Sequence, residues 1–273
     1  MPANLYALGA IALWATLASL GVTLSHVPPF LLTGLALLIG SIPAWPMMRQ
    51  WRVPPKTLAL GVYGLFGFHF LLFIALRHAP PVQANLVNYL WPLLMVLLAP
   101  ALLRGVQLTP RHIIAALVGF AGAAIAIAGG QRLDAGFAWG YLPAAGSAFI
   151  WASYSLLTQR VARFPTAAIG GFAAISGLLA LLCHALLEPS VALSSQDWLL
   201  IALMGLGPLG GAFFLWDAAL KRGDARSIGL LSFLTPLLST LLLLLLRGER
   251  PSPSIVLAAV MIVGAALVGT RAR

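Results

Sequence analysis

Residues 228–246 read IGLLSFLTPLLSTLLLLLL, a run with no charged residue and only Ser232, Thr235, Ser239 and Thr240 carrying polar side chains. A helix crossing the hydrocarbon of a bilayer needs about 20 predominantly apolar residues. A barrel strand would instead alternate apolar and polar over about ten residues. No such alternation occurs here, nor in the similar runs 93–103 and 113–130. The rest of the chain has the same character. Of its 273 residues 61% are apolar and 8% charged, with a mean hydropathy of +0.99. A water-soluble surface takes roughly 25–35% charged residues, so a soluble enzyme, a nucleic-acid-binding domain and a disordered chain are excluded. The single cysteine, Cys183, leaves no disulfide framework and no Cys-based zinc or iron–sulfur cluster.

Cutting at charges and prolines predicts an all-α integral membrane protein with ten spans, near 4–24, 28–48, 57–77, 80–103, 110–130, 137–159, 165–187, 197–220, 225–246 and 253–270. Short loops, many marked by proline, leave no room for a separate soluble domain, so 1–273 reads as one membrane domain. No positive charge precedes the first apolar run, so a cleaved signal peptide is not expected. Lys and Arg set the orientation. With the N-terminus in the cytoplasm, twelve of the sixteen fall inside: Arg49, Arg52, Lys56, Arg104, Arg111, Arg160, Arg163, Lys221, Arg222, Arg226, Arg271 and Arg273. Only Arg77, Arg132, Arg247 and Arg250 fall outside, which predicts that both termini are cytoplasmic. The net charge of +10 then reflects topology and attraction to anionic lipid, with no nucleic acid as partner.

The chain repeats itself. A shift of 144 places Gly61, Gly67 and Phe70 on Gly205, Gly211 and Phe214, and Pro92-Leu93-Leu94 on Pro236-Leu237-Leu238. With one residue of slip Arg104-Gly105 meets Arg247-Gly248. Trp14-Ala15 also resembles Trp151-Ala152. The halves are 4–130 and 137–270, each with five spans. Five is odd, so the second half enters the membrane upside down, an architecture of transporters with a central site between the halves.

Gly223-Asp224-Ala225, residues 231–236 (LSFLTP) and Arg247-Gly248-Glu249-Arg250 resemble the ninth-helix pattern and trailing Gly-Glu-Arg of the drug/metabolite transporter superfamily. Residues 88–93 (NYLWPL) are similar to its branch of bacterial aromatic amino-acid exporters. The resemblance covers essentially the whole chain. It implies two five-helix repeats and export of aromatic, and other apolar, amino acids such as Phe, Trp and Tyr across an inner membrane.

Gly205-Leu206-Gly207-Pro208-Leu209-Gly210 is formally GxGxxG. A dinucleotide site would need a preceding strand, so inside an apolar span the motif reads as close helix packing. No GxSxG, HExxH, P-loop or intramembrane carboxylate pair is present, so neither an enzyme nor a bound cofactor or metal is expected. Pro92 and Pro236 lie inside spans at matching positions and each should kink its helix, as a structural bend or as a hinge beside a cavity.

Polar groups inside spans are costly and therefore informative. Asn85, Asn88 and Tyr89 precede Pro92 at helical spacing and either bond neighbouring helices or face a cavity. Mid-span His69 is a packed hydrogen-bonding residue or a ligand and proton-coupling group. Asp217 pairs with Lys221 one turn away or holds a substrate ammonium. Trp45, Trp51, Trp139 and Trp198 read as interface-belt residues. Trp14, Tyr89, Trp91, Trp151, Tyr154 and Trp216 lie deeper, packed in the core or lining an apolar cavity. The expected site places the substrate ring among Trp14, Tyr89, Trp151 and Tyr154. Asn85, Asn88 and His69 take its charged ends, Asp217 offers a second ammonium or coupling site, and Pro92 and Pro236 act as hinges in alternating access by a monomer. A broad metabolite or drug exporter of the same superfamily shares all but the aromatic preference. A phosphate-ester carrier would need mid-span Lys or Arg, which the sequence lacks.

Overall fold

Proline starts half of the helices in the computed structural model, which describes residues 2–128 and 136–270. Pro29, Pro55, Pro81, Pro110 and Pro253 each occupy the first helical position, where the missing N–H is one that no helix carbonyl could have received. The described residues form ten helical rods and no strand. They are α1 (Ala3–Thr23), α2 (Pro29–Trp51), α3 (Pro55–His78), α4 (Pro81–Leu102), α5 (Pro110–Ala128), α6 (Tyr141–Leu157), α7 (Ala168–Leu187), α8 (Ser195–Leu220), α9 (Ala225–Arg247) and α10 (Pro253–Thr270). Eight of these, all but α6 and α10, are long and apolar enough to cross a bilayer. Arg132, Arg271 and Arg273, counted in the topology above, lie outside the described residues.

Several rods are interrupted. α1 breaks at Thr16, whose hydroxyl donates to the Leu13 carbonyl. α3 and α8 each widen into one π-helical turn, Tyr63–Gly67 and Gly207–Gly211, and the shift of 144 superposes these two turns. α4 breaks at Tyr89 (φ −70°, ψ 6°) and α9 at Ser232 and Phe233. Pro92 and Pro236 were expected to mark the bends themselves, and the breaks fall three residues earlier. A proline cannot donate to the carbonyl four residues back and clashes with it. The helix therefore stops at Asn88 and restarts at Leu90, leaving Pro92 in a first turn that needs no donor; Pro236 does the same after Ser232. Gly105 and Gly248, at φ 72° and 68°, turn the chain left-handed just after α4 and at the end of α9, as glycine without a Cβ can.

α2 packs along α7 and α5 along α10, the two broadest contacts of the bundle. α6 packs on α3 and α4, and α1 on α8 and α9. The shortest rod, α6, is the most enclosed, buried from Ile150 through Leu156. Its Ser147, Ser153 and Ser155 therefore face protein on all sides. Outward faces carry Leu178, Leu182 and Leu186 on α7, and Val256, Val260 and Val263 on α10, all exposed. Stripes of this kind suit lipid as solvent, where only self-bonded helices or closed barrels survive.

The bundle has two ends. At the near end, where α1 starts, Arg222 lies over the Tyr6 ring and Gln159 donates to the Leu220 carbonyl. At the far end Glu188, its side chain fully buried, accepts from Arg77 at 2.6 Å, His184 at 3.1 Å and the backbone N–H groups of Phe30 and Leu31. That carboxylate joins the start of α2 to the ends of α3 and α7. Asp197 forms a capping box with Ser194 and faces His26 at 3.1 Å. The seam between α4 and α9 differs between the ends. Near it, the second half of α4 packs on Ala225–Leu231 of α9. At the far end the first half of α4 lies on α6 and the second half of α9 on α1, with no packed interface between them.

Candidate functional site

The centre of the bundle is aromatic. Trp14 of α1 meets Trp151 of α6 with ring centroids 5.7 Å apart, Trp216 of α8 at 5.1 Å and Trp91 of α4 at 6.4 Å. Trp151 in turn contacts Tyr154 at 5.3 Å, Phe68 of α3 at 5.4 Å and Phe213 of α8 at 5.6 Å. Mostly edge-on or tilted geometries prevail, which set the positive edge of one ring against the negative face of the next and contribute about 0.5–1.5 kcal/mol per pair beyond burial. All four tryptophans are under a tenth exposed.

Each ring is fixed by its helix. The Trp14 indole N–H donates at 3.1 Å to the carbonyl of Pro208, inside the π-helical turn of α8. The Trp216 indole N–H donates at 3.1 Å to Ser155 Oγ. A buried indole N–H needs such a partner, and these two bonds fix the Trp14 and Trp216 rings against α8 and α6. Tyr63 and Ser153 share a hydroxyl hydrogen bond of 2.8 Å, tying the π-helical turn of α3 to α6.

The expected site residues are thus partly gathered. Trp14, Trp151 and Tyr154 come together as expected. His69 borders them, 6.3 Å from Phe213 and 5.1 Å from Phe68. Its Nδ1 lies 2.6 Å from the Leu65 carbonyl, which sets the proton on Nδ1 and leaves Nε2 as an acceptor. Asn88 is buried at the end of the first part of α4, and its Oδ1 accepts from Ser147 Oγ at 2.8 Å, the interhelical bond that was one of its two readings. Asn85 and Tyr89 are half-buried, and Tyr89 makes no ring contact with the cluster among the described residues. Asn85, Asn88, Tyr89 and Pro92 do not share one continuous helix, because the break at Tyr89 divides them. Asp217 pairs with Lys221 at 2.6 Å, the one-turn pairing foreseen, and Lys221 Nζ sits 3.9 Å from the centre of the Phe164 ring. Lys221 lies just beyond α8. Desolvation there lowers its ammonium from the ordinary lysine value, and Asp217 pulls it back up.

Trp91, Trp216, Phe68 and Phe213 complete the cluster and were not assigned to the site from sequence. Two of them were visible as deep tryptophans. Nothing in an apolar helix, however, says which face meets the centre. Pro92 and Pro236 flank the α4–α9 seam, and an added Cβ on Gly229 of α9 would meet the Pro92 carbonyl at 3.4 Å. Among the described residues no His, Cys, Asp and Glu group is placed to hold a metal. Among the described residues no charged side chain belongs to the ring cluster itself, so the rings offer stacking, cation–π contact and hydrogen bonding.

The EamA-like transporter family model matches residues 1–128 and again 138–270. The aromatic amino acid exporter YddG of Ancylobacter novellus is 43% identical, covering 98% of this chain and 96% of its own. The protein of that name in Escherichia coli is 28% identical, covering 97% and 96%. A probable terminal-alkyne amino-acid exporter of Streptantibioticus cattleyicolor is 27% identical over 92% and 84%. A solved structure 44% identical to the chain superposes with a TM-score of 0.91, covering 98% of this chain and 96% of that one. The family model matches both halves, and the family and these relatives are transporters, not enzymes: the chain belongs to the EamA-like transporter family.

Proposed function

We propose that the chain is a secondary transporter that exports aromatic amino acids, and other apolar ones, across a bacterial inner membrane. The observation that carries this reading is the charge-free ring cluster around Trp14 and Trp151 at the centre of the bundle. A substrate ring entering there exchanges ring–ring contacts for equivalent ones with itself, and a cation–π contact to its ammonium adds a similar amount. The full-length likeness to exporters of aromatic amino acids supports the same substrate class.

In this reading ten helices form two inverted five-helix repeats, with both termini cytoplasmic and the near end facing the cytoplasm. The rings of Trp14, Trp151, Tyr154 and Tyr89 hold the substrate ring. The amide N–H of Asn88, whose oxygen is already engaged by Ser147, is free to donate to the carboxylate. Asn85 and His69 serve the remaining polar ends, and Asp217 is a coupling group through its pair with Lys221. The protein acts as a monomer without cofactor. Bending at the breaks before Pro92 and Pro236 exchanges access. The α4–α9 seam, packed at the near end and parted at the far end, is the asymmetry that one of the two alternating states requires.

Counterflow in proteoliposomes with labelled Phe, Trp, Thr and an unrelated sugar tests the substrate class. Phe and Trp are expected to exchange at least tenfold faster than the sugar, and equal rates would refute the assignment. Trp14→Ala and Asn88→Ala are expected to lower Phe exchange at matched protein level, and normal exchange in both removes these residues from the site. The same assay with and without a pH gradient reads coupling at His69 or Asp217.

A further inference from the structure

Arg104 and Arg160 line one cleft of about 490 Å³ at the near end, together with Leu103, Val106 and Gln159. Both arginines are exposed and neither has a carboxylate partner among the described residues. The inventory of acids explains why. The chain has six. Glu188 and Asp197 are engaged at the far end. Glu249 follows α9 at that same end, and Asp134 lies outside the described residues. At the near end Asp217 is taken by Lys221 and Asp224 by Arg226. Two guanidiniums therefore share a cleft with no carboxylate partner among the described residues.

The cleft is built. Gly105 turns left-handed directly after Arg104. The Arg226 guanidinium donates to the Gln107 carbonyl and pins that loop to α9. On the other wall Gln159 donates to the Leu220 carbonyl at 3.1 Å and holds the end of α6 to α8. Leu103 and Val106 supply an apolar side. Arginine forks match phosphate oxygens in paired hydrogen bonds and stay charged at any physiological pH. Basic pockets between helix ends recruit lipid head groups by this chemistry.

We propose that Arg104 and Arg160 hold the phosphate of an anionic phospholipid, with its glycerol against Leu103 and Val106. A bound phosphate bridges the ends of α4 and α6 and so braces the packed end of the α4–α9 seam. The volume exceeds the needs of a lone carboxylate, and the apolar wall suits a glycerol ester.

Native mass spectrometry and thermal melting of the full-length protein in mild detergent test the site, with phosphatidylglycerol, phosphatidylcholine or inorganic phosphate added. The wild type is expected to retain phosphatidylglycerol and to melt several degrees higher with it than with phosphatidylcholine. R104Q/R160Q is expected to need at least tenfold more phosphatidylglycerol for the same retention, while melting unchanged in phosphatidylcholine. R49Q/R52Q, which removes two charges elsewhere at the same end, is expected to behave as wild type. Should the double variant not fold, R104Q and R160Q singly are each expected to weaken retention, and no loss in either overturns the proposal. It is overturned equally by undiminished retention in R104Q/R160Q, by inorganic phosphate reproducing the lipid's stabilisation, or by free phenylalanine displacing the lipid.

Discussion

The π-helical turns of α3 and α8 occupy equivalent positions in the two halves, yet their neighbours meet them differently. In α8 the approach is backbone on backbone. A Cβ added to Gly40 of α2 would stand 2.7 Å from the Gly205 carbonyl oxygen, 2.8 Å from Gly210 Cα and 2.9 Å from the Leu209 carbonyl oxygen. In α3 the glycines face rings: Gly61 lies flat against Phe172 and Gly64 against Tyr154. Backbone cannot step aside, whereas a ring can turn about χ1 and χ2 if space opens. Glycine-rich turns at equivalent positions thus make one fixed joint, α2 with α8, and one joint that yields by side-chain motion, α3 with α6 and α7.

The comparison breaks most visibly at Gly40. Gly40→Val is expected to abolish the folded protein, because overpacking costs typically 1–3 kcal/mol or more when only backbone is available to move. Size-exclusion profiles of the fluorescently tagged protein check this, and a monodisperse peak at wild-type level would show that the α8 joint is not fixed. Gly64→Ala is expected to fold with a melting temperature lowered by a few degrees. Adding Tyr154→Leu should restore the temperature by vacating the ring, whereas failure of that rescue would make both joints equally rigid. Smallest are the hydrogen bonds that tie each turn down. Trp14→Phe keeps a ring but removes the indole donor to the Pro208 carbonyl, at about 1 kcal/mol, the usual net worth of one hydrogen bond. Tyr63→Phe removes one side of a hydroxyl pair and is expected to cost about 0.6 kcal/mol, the usual size inside a membrane. Chemical denaturation in mixed micelles ranks the two, and a larger loss for Tyr63→Phe would reverse the assignment of the fixed joint.

Much of this was legible in the sequence, for reasons that differ by residue. Uninterrupted apolar runs placed the rods to within a few residues, because lipid imposes length and composition together. The breaks near Pro92 and Pro236 were legible since a missing donor has one consequence; their displacement by three residues follows from the same clash counted backwards. Trp14 and Trp151 were paired by the internal repeat and do meet. Trp91 and Trp216 were seen as deep residues, but in a helix apolar on every side no periodicity tells centre from periphery. The π-helical turns were invisible, as one extra residue per turn leaves no compositional mark. Glu188 carries no sign of its burial in its sequence neighbours. Its burial depends on Arg77, 111 residues earlier, and on the start of α2, about 158 residues earlier.

Those separations set an order of assembly. When α2 and α3 have been made, the Phe30 and Leu31 amides and the Arg77 guanidinium have not met their partner, and Glu188 does not arrive until the end of α7 is synthesised. The Trp14 indole N–H likewise waits for Pro208. The first half of the chain therefore enters the bilayer with polar ends that only the second half completes. The two halves resemble each other, but the earlier is finished by the later.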